Sequence, residues 1–328
     1  MKSNKLYPLK FRPILKEMLW GGKKIPKSLN IDVLPDVKIG ESYTISGLLS
    51  DPSIIENGSL KGDSLPKVIE LHGEALLGKE VYNKFNNTFP LLIKFIDAND
   101  DLSVQVHPND TLALQKHQSL GKTEMWYVME ADQGATLISG LKYPVTPNQF
   151  ISRTEQGTLQ NLLNYEFTKE GDCYFIPAGR VHSIGKGNVI AEIQQTSNIT
   201  YRIYDFNRTD KLGNKRELHV EAALEALGFK DTESGKVRVD IVPNKSVNLV
   251  ECQYFTTNII EIEEAINMDY THLNSFVIYI NVGNDCSVEY DGAEITLNRM
   301  EAILIPACID KMKIKTRTGT KVLEVFMK

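Results

Sequence analysis

Short runs of β-branched and aromatic residues recur along the chain, separated by Gly, Asn, Asp and Pro. This spacing predicts an all-β protein, a sandwich or a barrel, with strands at 91–97, 102–107, 124–130, 173–177, 189–195, 276–282 and 302–306. Helical signals are few. Thr146-Pro147-Asn148-Gln149 carries a capping box with proline at the first helical position, and the leucines of 158–166 recur at helical spacing. A further helix is predicted over 219–227, closed by Gly228. The polar stretch 230–236 reads as a linker, which predicts two β domains: residues 1–237 with the short helices, and a smaller unit over 238–328. An internal echo supports a duplicated β unit, because GDCYFIPAG (171–179) and MEAILIPAC (300–308) share their apolar pattern and the offset of their proline. Aligning Pro177 with Pro306 sets His182 opposite Lys311, so only one copy keeps its polar residues.

Alternation within the predicted strands picks out candidate chemistry. Over 102–107, Ser103, Gln105 and His107 point one way, and Leu102, Val104 and Val106 the other. The same rule puts Glu124, Trp126 and Val128 on one face, where an inward carboxylate needs a partner. The turn Pro177-Ala-Gly179-Arg-Val-His182 delivers a second histidine. Imidazole nitrogen with carboxylate or amide oxygen suits zinc, and equally manganese, iron or cobalt. His107, Glu124 and His182 would supply three ligands and Gln105 a weaker fourth, although a single inward histidine is more often a hydrogen-bonded core residue. Lys94, Lys122 and Arg202 lie in or beside apolar segments, where a charge needs either an acid from the chain or a bound phosphate monoester. His72, His117, His219 and His272 sit in polar or helical contexts and are expected at the surface.

Composition narrows the classes. With 42% apolar and 24% charged residues the chain has the make-up of an ordinary globular protein, which excludes disordered and coiled-coil readings. Lys and Arg number 37 against 42 Asp and Glu, a net charge of −5, and no basic block occurs, so nucleic acid is excluded as the main partner. No apolar run reaches the roughly 18 residues of a membrane span, and the start MKSNKLYPLK lacks a secretory core, so a cytoplasmic protein without a membrane partner is expected. Cys173, Cys252, Cys286 and Cys308 lie far apart and are expected as reduced, mostly buried thiols. Gly121-Lys122-Thr123 resembles the end of a P-loop, but Lys116 stands where its first glycine belongs. No feature specifies an oligomeric state.

Together, Trp20-Gly-Gly22, Gly40-Glu-Ser42, PLLIKFIDANDDLSVQVHP (90–108), GKTEMWYV (121–128), GDCYFIPAGRVHSIG (171–185) and AEIQQTSNITYRIYDFNR (191–208) resemble type I phosphomannose isomerase, a metal-dependent family of the cupin class. The matches run in the family's order over about two thirds of the chain. Only 58 positions separate Glu124 from His182, as in the compact bacterial form. The cupin spacing is met at Gly171, Pro177, Gly179 and His182, whereas the asparagine that often follows is Lys186. The resemblance implies a cupin-type β-barrel or jelly roll whose C-terminal copy lacks the metal site. It also implies one zinc ion on Gln105, His107, Glu124 and His182, with Arg202 and Lys122 catalytic and Lys94 and Ser103 binding a hexose 6-phosphate. The implied reaction interconverts mannose 6-phosphate and fructose 6-phosphate through a cis-enediolate. Lys122, Glu41 or a water on the ion could then serve as the base. Two other readings compete: a metal-dependent cupin oxygenase and a non-catalytic sugar-phosphate-binding cupin.

Overall fold

Strands form where the β-branched and aromatic runs lie. In the computed structural model, which describes residues 5–210 and 212–328, they assemble into four antiparallel sheets. A seven-stranded sheet runs in the order Lys236–Val237, Cys173–Ile176, Glu124–Ala131, Asn188–Gln195, Leu91–Asp97, Ile39–Ser46, Ile14–Gly22. Its partner has five strands, in the order Tyr201–Tyr204, Val104–Val106, His182–Ile184, Thr136–Leu141, Leu163–Phe167. Ile96, Trp126, Val128 and Ile190 of the first sheet share one core with Leu137 and Ile184 of the second. The sheets stay separate, so the cupin-like fold is an open sandwich and no barrel closes among the described residues.

Alternate residues of the same central strands point outward: Leu91, Ile93, Phe95, Met125, Tyr127 and Ile193 pack against Ile259, Phe276, Ile278, Leu323 and Val325. This explains why these strands read as unbroken apolar runs, for a strand buried on both faces has no solvent side to mark. The C-terminal residues form a six-stranded sheet that also takes in Leu9–Lys10, and a four-stranded sheet over Ile266–Asp269, Lys311–Thr316, Cys286–Tyr290 and Ala293–Leu297. Tyr279, Val288, Leu297, Ile303, Met312 and Ile314 fill the space between them.

Helices differ from expectation in detail. The capping box at Thr146 and Gln149 starts the helix Pro147–Glu155. Over 158–166 the predicted helix is a single 3-10 turn, Leu159–Asn161, followed by the edge strand Leu163–Phe167. There, pairing of Tyr165 with Ile138 and Leu163 with Leu141 outweighs the leucine spacing, which instead buries Leu159 and Leu162 beside Phe150. The helix Val220–Ala226 ends at Leu227 in extended conformation, and Gly228 donates its N–H to Gly179 O instead of forming a left-handed cap. The polar stretch 230–236 is tied down on both sides. Arg180 donates to Asp231 at 2.8 Å, Ser139 Oγ to Ser234 O at 2.7 Å, and Phe175 N to Gly235 O at 2.8 Å. Cys173 and Cys286 are buried thiols, whereas Cys308 is exposed. Among the described residues no helix is long and apolar enough to cross a membrane.

Candidate metal centre

Three segments converge between the two sheets of the N-terminal sandwich. Glu124 opens the strand Glu124–Ala131, His107 follows Val104–Val106, and His182 opens His182–Ile184 in register with Gln105 and Ser139. One ligand atom from each of His107, Glu124 and His182 lies within 4.8 Å of the others, and all three side chains are buried. His182 Nε2 is 3.4 Å from one oxygen of Glu124, and His107 Nε2 is 3.6 Å from the other. The two Nε2 atoms face each other at 3.1 Å.

The tautomers follow from the outer hydrogen bonds. His107 Nδ1 lies 2.9 Å from Ile199 O and His182 Nδ1 lies 2.9 Å from Arg180 O. A carbonyl oxygen only accepts, so each Nδ1 carries the hydrogen and each Nε2 presents a lone pair inward. The Glu124 carboxylate is met at Oε2 by the Lys122 ammonium at 2.9 Å. Two lone pairs and a carboxylate thus point at one another in a buried site, an arrangement that calls for positive charge among them. Burial keeps the imidazoles neutral, taking His182 down to about 3 and His107 well below the ordinary value. Burial, then the charge of Glu192, pushes the Glu124 carboxyl up. Two nitrogens and one carboxylate are a donor set that fits a borderline divalent ion. The nearest positive group is Lys122, its Nζ 2.9 Å from Glu124 Oε2 and 3.0 Å from His107 Nε2.

A cavity of about 230 Å³ opens beside this cluster, lined among others by Lys94, Ser103, Gln105, Lys122, Arg202 and Arg216. Every candidate site residue named from the sequence is therefore at the cluster or in the wall of this cavity. Lys94 is held inside the chain, 2.9 Å from Glu192 and 3.4 Å from Glu41. Burial alone would lower its ammonium, but the charges of Glu192 and Glu41 outweigh it and hold the group well above its ordinary value. Its partner is thus an internal pair of acids, the first of the two alternatives. Among the described residues Arg202 makes no such ion pair. Its Nη1 donates to Glu217 O at 2.9 Å, its buried Nε has no partner, and burial, with the nearby Arg216 charge, lowers the guanidinium.

Some neighbours follow the sequence pattern less closely. Leu102 lines the cavity with Ser103, because regular alternation begins only at Val104, where the strand starts. His219 is no plain surface residue: its Nδ1 accepts the N–H of Arg202 at 3.2 Å. Glu192 and Arg216 escaped the sequence reading. Glu192 was legible as a lone carboxylate at the parity of Ile190 in a buried strand, and Trp126 Nε1 donates to it at 2.8 Å. Arg216 gave no signal, since it lies outside regular structure and reaches the cavity on a salt bridge to Asp205, Nε to Oδ2 at 2.7 Å.

Comparison with known proteins bears on this geometry. Residues 9–135 match the family described as phosphomannose isomerase type I, catalytic domain. A mannose-6-phosphate isomerase of Streptococcus mutans is 36% identical over 265 residues, 80% of this chain and 82% of that protein. Mannose-6-phosphate isomerase ManA of Bacillus subtilis is 36% identical over 252 residues, 76% of this chain and 78% of that one. The crystal structure of a mannose 6-phosphate isomerase from Bacillus subtilis superposes with a TM-score of 0.84 at 28% identity, covering 98% of this chain and all of that one.

Proposed function

This chain belongs to the type I phosphomannose isomerase family, and from that premise we propose that it interconverts mannose 6-phosphate and fructose 6-phosphate, with His107, Glu124 and His182 holding one zinc ion beside Gln105. The observation that carries the proposal is the pair of inward imidazole lone pairs converging with the buried Glu124 carboxylate next to a cation-lined cavity. Zinc bound there would polarise the sugar's carbonyl and hydroxyl oxygens.

The chain's own groups account for the rest. Moving a proton between C1 and C2 puts negative charge on oxygen, and Arg202, whose buried Nε has no partner among the described residues, is the preorganised cation for that charge. Lys122 sits at the junction of cluster and cavity, where its ammonium can hold a proton beside a reacting oxygen. Glu41 faces the same cavity as the second group able to carry the proton. Lys94 fixes Glu41 and Glu192 in place, and Ser103 offers a hydroxyl to the substrate. Arg216 adds a second guanidinium for the phosphate, whose binding can be spent on orienting the distant carbons. An oxygenase would leave these cations without a role. The proposed division at 237 keeps every one of these residues in the N-terminal unit. A phosphorylated sugar, charged and unable to cross a bilayer unaided, stays in the compartment that makes it, which supports the cytoplasmic reading.

The test is an isomerase assay with mannose 6-phosphate, coupled through phosphoglucose isomerase and glucose-6-phosphate dehydrogenase, before and after chelation. Activity should vanish with the metal and return with zinc. Undiminished turnover by metal-free protein would overturn the proposal.

A further inference from the structure

The loop that carries Lys122 is held from outside its own unit. Tyr254 lies in the turn between the C-terminal strands Ser246–Glu251 and Thr256–Ile262, and its hydroxyl donates to Asp110 Oδ2 at 2.7 Å. The other oxygen of Asp110 accepts the N–H of Gly121 at 2.8 Å and Nε2 of Gln195 at 3.0 Å. Gln195 Oε1 in turn accepts the N–H of Thr123 at 2.9 Å. The residues on either side of Lys122 therefore hang on one carboxylate, directly at Gly121 and through Gln195 at Thr123.

Other contacts extend the same framework to the cluster. Lys122 N donates to Pro108 O at 3.0 Å, directly after His107, and Gly179 N donates to His107 O at 2.9 Å. Ala178 N donates to Thr123 Oγ1 at 3.2 Å, joining the turn that leads to His182. Gly121 admits no side chain, since a Cβ there would lie 2.6 Å from Asp110 N and from Asn109 C. The loop is thus pressed onto 108–110. One oxygen of Asp110, at the start of the helix Asp110–His117, holds that seating, and the Tyr254 hydroxyl fixes the direction of the carboxylate through the other.

We propose that Tyr254, a residue of the C-terminal unit, is a positioning residue for catalysis: through Asp110 and Gln195 it fixes the loop that presents Lys122 to His107, Glu124 and the cavity. This rests on the isomerase reading above, and adds that the unit without a metal site sets the geometry of the other. A hydroxyl on a half-buried carboxylate is a moderate restraint, so its loss lets the loop drift without unfolding anything. Small displacements of a group near the reacting atoms are costly in rate.

The experiment measures steady-state isomerisation of mannose 6-phosphate by the zinc-loaded wild type, Tyr254→Phe, Lys122→Ala and the double variant, with melting temperatures alongside. Tyr254→Phe should lower kcat about fivefold and change KM by less than about twofold. In the Lys122→Ala background the same substitution should leave kcat unchanged, because the group it positions is gone. Asp110→Asn, which weakens the anchor at its centre, should repeat this pattern with a larger loss. An equal loss in both backgrounds would overturn the proposal in favour of a purely structural bond, as would a wild-type kcat in Tyr254→Phe. Absence of turnover in the zinc-loaded wild type would instead refute the isomerase reading itself.

Discussion

The two sandwiches of this chain each bury a glutamate on a central strand, and the two carboxylates are treated in opposite ways. Glu324, in the C-terminal sandwich, accepts from Ser246 Oγ at 2.6 Å, from Asn258 Nδ2 at 2.8 Å and from the Tyr270 hydroxyl, which also meets Tyr279. Glu124 instead meets the Lys122 ammonium at 2.9 Å and faces two imidazole lone pairs. The echo segments differ in the same sense. His182 is buried after Pro177, whereas Lys311, at the matching place after Pro306, has a side chain 70% exposed and reaches Asp269 on the surface at 3.3 Å. A buried carboxylate surrounded by neutral donors is a finished structural feature. One surrounded by lone pairs and an ammonium is built around a positive charge, and the scaffold does not decide between the two.

The contrast can be broken most forcefully at Glu124. Glu124→Gln keeps the volume and removes the charge, and should lower kcat by about a thousandfold and release zinc on dialysis, read by assay and by metal analysis. A variant that keeps both metal and turnover would make Glu124 the equivalent of Glu324. Arg202→Ala should cost about a hundredfold in kcat with a smaller change in KM, since the guanidinium is assigned to charge that develops during the reaction. If KM alone rises, Arg202 only clamps the phosphate. Glu324→Gln should do the reverse of Glu124→Gln. Placing an amide donor against Tyr270, Ser246 or Asn258 should destabilise the protein by about 2 kcal/mol in denaturant unfolding and leave kcat at the wild-type value.

The smallest effect is on acid stability. In the folded, metal-free protein His182 binds its proton only near pH 3, and its ordinary value is 6.5. Between these values the unfolded chain holds more protons, so the stability from the neutral imidazole is present above about pH 6.5 and is lost as the pH falls. His107 acts in the same direction and the raised Glu124 carboxyl against it, so two imidazoles oppose one acid. Stability should therefore fall on acidification from pH 6.5 to 5, by at most about 1.4 kcal/mol per pH unit for each unopposed imidazole. His182→Asn should flatten the slope. A metal-free protein that gains stability over this range would show that the imidazoles are not held neutral.

Much of the site was legible along the chain because strand alternation is a local rule. Ser103, Gln105 and His107 share a parity, Glu124 shares one with Trp126, and a lysine inside Leu91–Asp97 announces a buried partner whatever the fold. The rule failed where the backbone left the strand, at Leu102, and where ladder pairing overrode helical spacing, at 163–167. Arg216 was invisible for a different reason: a residue in an irregular segment carries no periodicity, and its ion pair with Asp205 aims it.

The order of apolar and polar positions was enough to specify strands, the candidate trio His107, Glu124 and His182 and the absence of a matching set near Pro306, because these depend on residue type and short-range spacing. Only the folded chain decided that Lys94 is neutralised by Glu192 and Glu41, that both imidazoles turn their Nε2 lone pairs inward, and that Tyr254 braces the Lys122 loop. Those facts depend on contacts between segments up to 144 positions apart, and distance along the chain gives no measure of distance in space.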